Sequence, residues 1–291
     1  MARQTRLTVP AIRAAKAAGE RLTMVTAYDA TFARLFDEAG VEILLVGDSL
    51  GMVVQGRETT LGVRLEDVIY HTSAVVRGSA RAHVVADMPF LSYQASVEEA
   101  VRSAGRLLAE GGAQSVKLEG GRPFASTIAR LVEVGIPVMG HVGLMPQRVH
   151  EMGGHRVQGR TEAEARRILD DARAVADAGA YAIVLEAIPM DLAAEITAAV
   201  PVPTIGIGAG PACDGQVLVG YDLLGLTPEL RPRFVRRYAE WFEEGVRAAR
   251  RFRDEVRAGL FPTPELAFGA TPPPSAPVAV EAPAFGRDEP R

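Results

Sequence analysis

Cysteine is nearly absent: Cys213 stands alone in 291 residues. That excludes an internal disulfide framework and fits a reducing compartment. Positive charge is not in excess either. The formal net charge is −4, so nothing favours a phosphate backbone and no nucleic-acid partner is expected. No apolar run approaches the ~18 residues that span a bilayer, and no membrane partner is expected. The start of the chain carries Arg3, Arg6, Arg13 and Lys16 with no acid before Glu20. Organellar transit peptides share that composition with short amphipathic helices, and a helix over 10–18 is the reading adopted. Without an apolar h-region secretion is unsupported, and a cytoplasmic place is expected. His71, His83, His150 and His155 show no metal-ligand spacing.

What is present is a large apolar fraction, 48 % of residues, enough for one barrel-sized core or two smaller ones. The stretch Ile43-Leu44-Leu45-Val46 reads as a strand buried on both faces, as in a parallel sheet. It runs straight into Gly47, Asp48 and Ser49. A carboxylate at the mouth of a buried strand is not there for packing, because desolvating it unpaired is expensive. The event recurs: apolar strands end in Asp87, in Lys117 with Glu119, in His141 and in Glu186. Strands are predicted at 22–29, 43–46, 84–89, 115–119, 137–142, 181–186, 203–208 and 216–219. Helical periodicity or capping marks 31–39, 65–77, 96–110, 127–134, 161–178, 191–200 and 234–258, with Ser96/Glu99 and Thr161/Glu164 spaced as capping boxes. Eight strands alternating with helices predict a closed (β/α)8 TIM barrel, and no dinucleotide fingerprint follows the first strand to favour an open sheet. Residues 1–262 are expected to form one catalytic domain. Residues 263–291 hold seven prolines and read as a disordered, functionally silent tail.

In such barrels the site lies at the C-terminal strand ends. Asp48, Asp87 and Glu119 end three neighbouring strands, so their carboxylates are expected to converge. Charges ~4 Å apart at an effective dielectric of ~20 repel by ~4 kcal/mol per pair, which calls for a cation or a proton between them. All-oxygen ligation points to a hard divalent ion, Mg²⁺ first. Lys117 lies two residues before Glu119, on the same strand face. Once buried it needs an anion, either a carboxylate or an anionic substrate, with Schiff-base chemistry as a third option. Glu186, across the mouth, suits a proton acceptor. His141 is a donor, a base or a satisfied core imidazole. Gly206, Gly208 and Gly210 admit a phosphate cradle or close backbone packing.

The motifs resemble one family closely, the ketopantoate hydroxymethyltransferases. They are MVTAYD at 24–29, VGDSLGMVVQG at 46–56, YHTSAV at 70–75, ADMPF at 86–90, VKLEGG at 116–121, GHVGL at 140–144, GGHRVQGR at 153–160, IGIGAG at 205–210 and DGQVLV at 214–219. The resemblance runs from about residue 7 to 262. Departures are Gly62 where Pro is frequent, Met145 where Thr is common, and Tyr221 where His often precedes the aspartate.

This resemblance implies a barrel of the phosphoenolpyruvate/pyruvate type and a homo-oligomer, a large ring assembly. It implies transfer of a hydroxymethyl group from 5,10-methylenetetrahydrofolate to 3-methyl-2-oxobutanoate, giving ketopantoate, the first step of pantothenate synthesis. Asp48, Asp87 and Glu119 would be the Mg²⁺-site acids. Asp48, Ser49, Asp87 and Lys117 would contact the 2-oxo acid, Glu186 would accept the proton, and His141 would be auxiliary. The polar loops 55–62 and 144–160 are candidate lids. The rivals are a carbon–carbon lyase or mutase on the same barrel, and a barrel kept only as a scaffold.

Overall fold

The computed structural model describes residues 5–154, 156–228 and 232–269. Two compact units divide the chain, one ending at Glu240 and one beginning at Trp241. The first is a closed, all-parallel barrel in strand order β1 to β8. Its strands are β1 Leu22–Thr26, β2 Ile43–Val46, β3 His83–Asp87, β4 Ser115–Glu119, β5 Val138–Gly143, β6 Ala182–Glu186, β7 Thr204–Ile207 and β8 Gly215–Leu218. The helices are α1 Val9–Ala18, α2 Ala30–Glu38, α3 Leu50–Val53, α4 Leu65–Gly78, α5 Val97–Ala109, α6 Ala125–Glu133, α7 Val149–Met152, α8 Glu162–Asp177, α9 Met190–Ala199 and α10 Gly220–Leu223, with α11 Trp241–Arg257 in the second unit.

Helix starts follow local chemistry. Asp29, at the end of the predicted first strand, lies beyond β1 and caps α2 instead, accepting from the Thr31 and Phe32 N–H groups. Thr161 and Glu164 form the full reciprocal box on α8. At Ser96 the hydroxyl accepts from the Glu99 N–H at 3.1 Å. Helix α1 begins at a Thr8 cap and ends on Gly19 in the left-handed conformation. Its apolar face seats Ile12 and Ala15 against Leu22, Met24, Leu45 and Val217, closing the N-terminal end of the barrel. Strands β2, β3, β4 and β5 are buried along their whole length. That is why β2 reads as an unbroken apolar run, whereas β4 alternates, with Ser115, Lys117 and Glu119 buried on one face.

Two elements differ from expectation. Only seven residues, 208–214, join β7 to β8, and they hold no helix. That is too few for a helical crossover. Thr23 and Gln216 are accordingly exposed on the neighbouring strands. The last helix starts at Trp241 rather than at 234. Residues 232–240 turn at Pro232, and the Tyr238 N–H donates to the Leu223 carbonyl. The proline-rich tail lies outside the described residues from 270 onward, as does His155. Among the described residues no helix is long and apolar enough to cross a membrane.

Candidate active site

Parallel pairing sets the chemistry-bearing residues at one level. Asp87 lies opposite Lys117 across the β3–β4 pair, and Glu119 opposite His141 across β4–β5. Asp48 follows β2 directly and is 4 % exposed, while Asp87, Lys117, Glu119 and His141 are all buried. Lys117 Nζ donates to both Asp87 oxygens, at 2.6 and 2.7 Å, so its buried charge meets a carboxylate. The Asp48 N–H donates to Asp87 Oδ2 at 3.3 Å. Ser49 Oγ lies 2.8 Å from the Tyr28 hydroxyl.

On the other side of Glu119 stands His141. Its Nδ1 is 3.8 Å from Glu119 Oε1 and its Nε2 is 3.2 Å from Glu186 Oε2. Neither ring nitrogen is aligned for a hydrogen bond, and Glu119 Oε1 also lacks one. The Glu186 side chain keeps 18 % exposure, against 2 % for Glu119, so it borders the open end of the site. Its backbone is held close: Leu144 N–H donates to the Glu186 carbonyl at 2.9 Å. A Cβ on Gly143, where φ is +100°, would meet that carbonyl oxygen at 2.3 Å. Ala187, next along, has φ +48°, a conformation uncommon for a residue with a side chain.

The electrostatics follow from burial and crowding. Desolvation, then the Asp87 charge, pushes Asp48 up to about 7, against the pull of Lys117. Burial, then the Asp48 charge, lifts Glu119 well above the usual carboxylate range. Burial by itself would lower Lys117, yet Asp87, Glu119 and Asp48 outweigh it and keep the ammonium charged. Burial, then Lys117, holds His141 below its ordinary value, so the imidazole is neutral.

Three residues that sequence reasoning missed complete the arrangement. Gln147 reaches Asp48 and Glu119, the Tyr93 hydroxyl accepts from the Glu119 N–H at 3.2 Å, and Tyr28 meets Ser49. Gln147 sits in the polar loop already singled out as a lid; Tyr93 is one aromatic in an aperiodic stretch and left no signal. The two candidate lids meet, the turn Thr60–Gly62 packing on the turn Pro146–Arg148. Gly206, inside β7, and Gly210, after it, are closely packed: a Cβ at Gly206 would meet Cys213 Sγ at 2.9 Å, and one at Gly210 would meet Met190 at 2.5 Å. His83 is structural, its Nδ1 on the Leu7 carbonyl and its Nε2 on Ser115.

Comparison with known proteins adds a second, independent line. The family model for ketopantoate hydroxymethyltransferase matches residues 6–264. A 3-methyl-2-oxobutanoate hydroxymethyltransferase of Moorella thermoacetica is 57 % identical over 268 residues, covering 92 % of this chain and 100 % of the relative. One of Pelobacter propionicus is 55 % identical over 263 residues, covering 90 % and 97 %. Among solved structures, phosphonopyruvate hydrolase complexed with oxalate and Mg²⁺ superposes with TM-score 0.59 at 15 % identity, covering 87 % of this chain and 88 % of that one. A 2,3-dimethylmalate lyase of the PEP mutase/isocitrate lyase superfamily gives 0.57 at 17 %, covering 91 % and 89 %. At such identities these two speak for the barrel alone. The sequence matches, nearly end to end and above half identity, carry further: the chain is an enzyme and belongs to the ketopantoate hydroxymethyltransferase family.

Proposed function

We propose that this enzyme transfers a hydroxymethyl group from 5,10-methylenetetrahydrofolate to 3-methyl-2-oxobutanoate, giving 2-dehydropantoate for pantothenate synthesis, with Mg²⁺ as cofactor. The observation that carries the reading is the buried Asp48–Asp87–Lys117–Glu119 cluster with Glu186 at its open side.

The donor set fits a hard divalent cation. Three carboxylates and one ammonium leave two negative charges uncompensated when all are ionised, and Glu119 Oε1 has no hydrogen-bond partner. Among the described residues no group of three or more His, Cys, Asp and Glu side chains is arranged to hold a metal unaided. Mg²⁺ suits that arrangement, because it keeps several waters and takes only one or two carboxylates directly. Asp48, Asp87 and Glu119 are its proposed acids. Bound there, Mg²⁺ supplies Lewis-acid polarisation of the 2-oxo group.

The chain's own residues do the rest. Asp48, Ser49, Asp87 and Lys117 bind the oxo acid, with Tyr28 orienting the Ser49 hydroxyl. Glu186 accepts the C3 proton, a step worth roughly 10²–10⁴ in rate. His141, 3.2 Å from Glu186 Oε2, is the auxiliary residue beside the base. Lys117 offsets the charge that develops on the enolate oxygen. The loops 55–62 and 144–160 exclude water while the enolate meets the one-carbon unit.

A homo-oligomer is part of the proposal, supported by the exposed Thr23 and Gln216 on β1 and β8. So is a cytoplasmic place, supported by the single, buried, unpaired Cys213.

The test is C3 hydrogen exchange of 3-methyl-2-oxobutanoate in D₂O, followed by NMR without folate. Glu186→Gln is expected to bind the oxo acid and lose exchange at least 100-fold. Undiminished exchange refutes the base assignment. Turnover independent of tetrahydrofolate would instead favour a lyase.

A further inference from the structure

Gln147 is 3 % exposed and sits in the short turn Pro146–Arg148 that follows β5. Its amide is saturated. Nε2 donates to Asp48 Oδ2 and to the Met88 carbonyl, both at 2.9 Å. Oε1 accepts from the Tyr93 hydroxyl at 2.9 Å and from Gln94 Nε2 at 3.0 Å. A carboxylate and a carbonyl only accept, so these partners also fix which amide atom is the nitrogen. The Gln147 backbone N–H donates separately to Glu119 Oε2 at 3.0 Å. One residue therefore grips two acids that arrive on different strands, 99 and 28 positions away in sequence.

We propose that Gln147 is the positioning residue of the acidic cluster, holding Asp48 and Glu119 at a set separation while leaving their charge intact for a cation. The physical reason is its neutrality. Arg or Lys at this place would brace the two carboxylates equally well, but would cancel the charge that draws a divalent ion. An apolar residue would preserve the charge and lose the side-chain half of the brace, leaving Asp48 Oδ2 and the Gln94 amide short of a partner while the backbone N–H still held Glu119. A carboxamide does both tasks, and its four bonds hold it in one orientation. Groups that orient metal-site acids in this manner change metal affinity 10–100-fold when removed.

The inference rests on the reading of this cluster as a Mg²⁺ site, and the experiment separates the two. Mg²⁺ alone, without substrate, is titrated calorimetrically into the wild-type chain, Gln147→Leu and Gln147→Asn, each first checked for native near-UV circular dichroism. The expected result is one ion bound to the wild type and a Kd raised 10–100-fold in Gln147→Leu. Gln147→Asn keeps the backbone donor and an amide one methylene short, is expected to fall between, and carries the test where the leucine variant does not fold. Tyr93→Phe frees the amide orientation and is expected to raise Kd by less than Gln147→Leu. Wild-type protein that binds no Mg²⁺ overturns the site reading and this inference together. Wild-type binding with unchanged Kd in the folded Gln147 variants overturns the inference alone.

Discussion

At Lys117 two large effects oppose each other. Burial disfavours the ammonium, while Asp87, Glu119 and Asp48 favour it, and attraction wins. Asp48 shows the converse, with burial and the Asp87 charge raising it to about 7 despite Lys117. A proton thus competes with any cation for that carboxylate. The sign follows: below about 7 the proton must leave before the ion enters, so Mg²⁺ affinity should rise with pH across ~6–8, by up to about tenfold per unit for one displaced proton. Calorimetry in buffers of different ionisation enthalpy should detect proton release near pH 6.5; binding that is pH-invariant and releases no proton would count against the ion entering at Asp48. Lys117→Met should be the harsher change, because it strips both Asp87 oxygens of their buried partner. Losing one member of a buried pair costs about 3–5 kcal/mol, to be read by chemical denaturation alongside lost oxo-acid binding.

The elements matter through the ends of strands. The carboxyl end of β6 is pinned where Gly143 lets the Glu186 backbone approach, and where Ala187 N–H donates to Ile207 on β7. Gly143→Ala would meet both a positive φ and the Glu186 carbonyl oxygen. It is expected to destabilise by roughly 2–4 kcal/mol and to displace Glu186 from the mouth. Denaturation midpoints and C3 exchange rates should fall together; a stable, fully active variant would show that β6 does not depend on this contact. Sequence signals were good for elements whose pattern is local. The Thr161/Glu164 box starts α8 as expected, whereas 234–240 has helical residues but turns at Pro232 and bonds to Leu223, a long-range preference that no local window contains.

For the whole molecule, one contribution to acid stability comes from His83, at the start of β3. His83 is held down to about 4 by burial, despite its bond to the Leu7 carbonyl. The unfolded imidazole takes a proton near 6.5, so between pH ~6.5 and ~4 the unfolded chain binds a proton that the folded chain refuses. Stability therefore falls as pH drops through that window, by at most about 3 kcal/mol from this group. The raised Asp48 and Glu119 carboxyls act in the opposite sense, losing stability as pH rises. A difference measurement isolates the histidine: the stability advantage of wild type over His83→Gln should shrink from pH 7.5 to 4.5. A constant gap would mean His83 is not buried neutral. A chain ending at residue 262 should keep its melting temperature and exchange rate, and sedimentation velocity should give an assembly of several like chains.

Residue order alone settled the strand count, the barrel and the five ionisable strand ends Asp48, Asp87, Lys117, Glu119 and Glu186. Each rests on a short-range rule: an unbroken apolar run means a strand buried on both faces, and a charge at its end must find a partner. Which partner each charge finds is a matter of distance across the barrel. Lys117 on Asp87, His141 between Glu119 and Glu186, and Gln147 spanning Asp48 and Glu119 join residues up to 99 positions apart. Such contacts exist only once the sheet has closed, because register and loop packing, not neighbouring residues, bring those atoms within hydrogen-bonding reach.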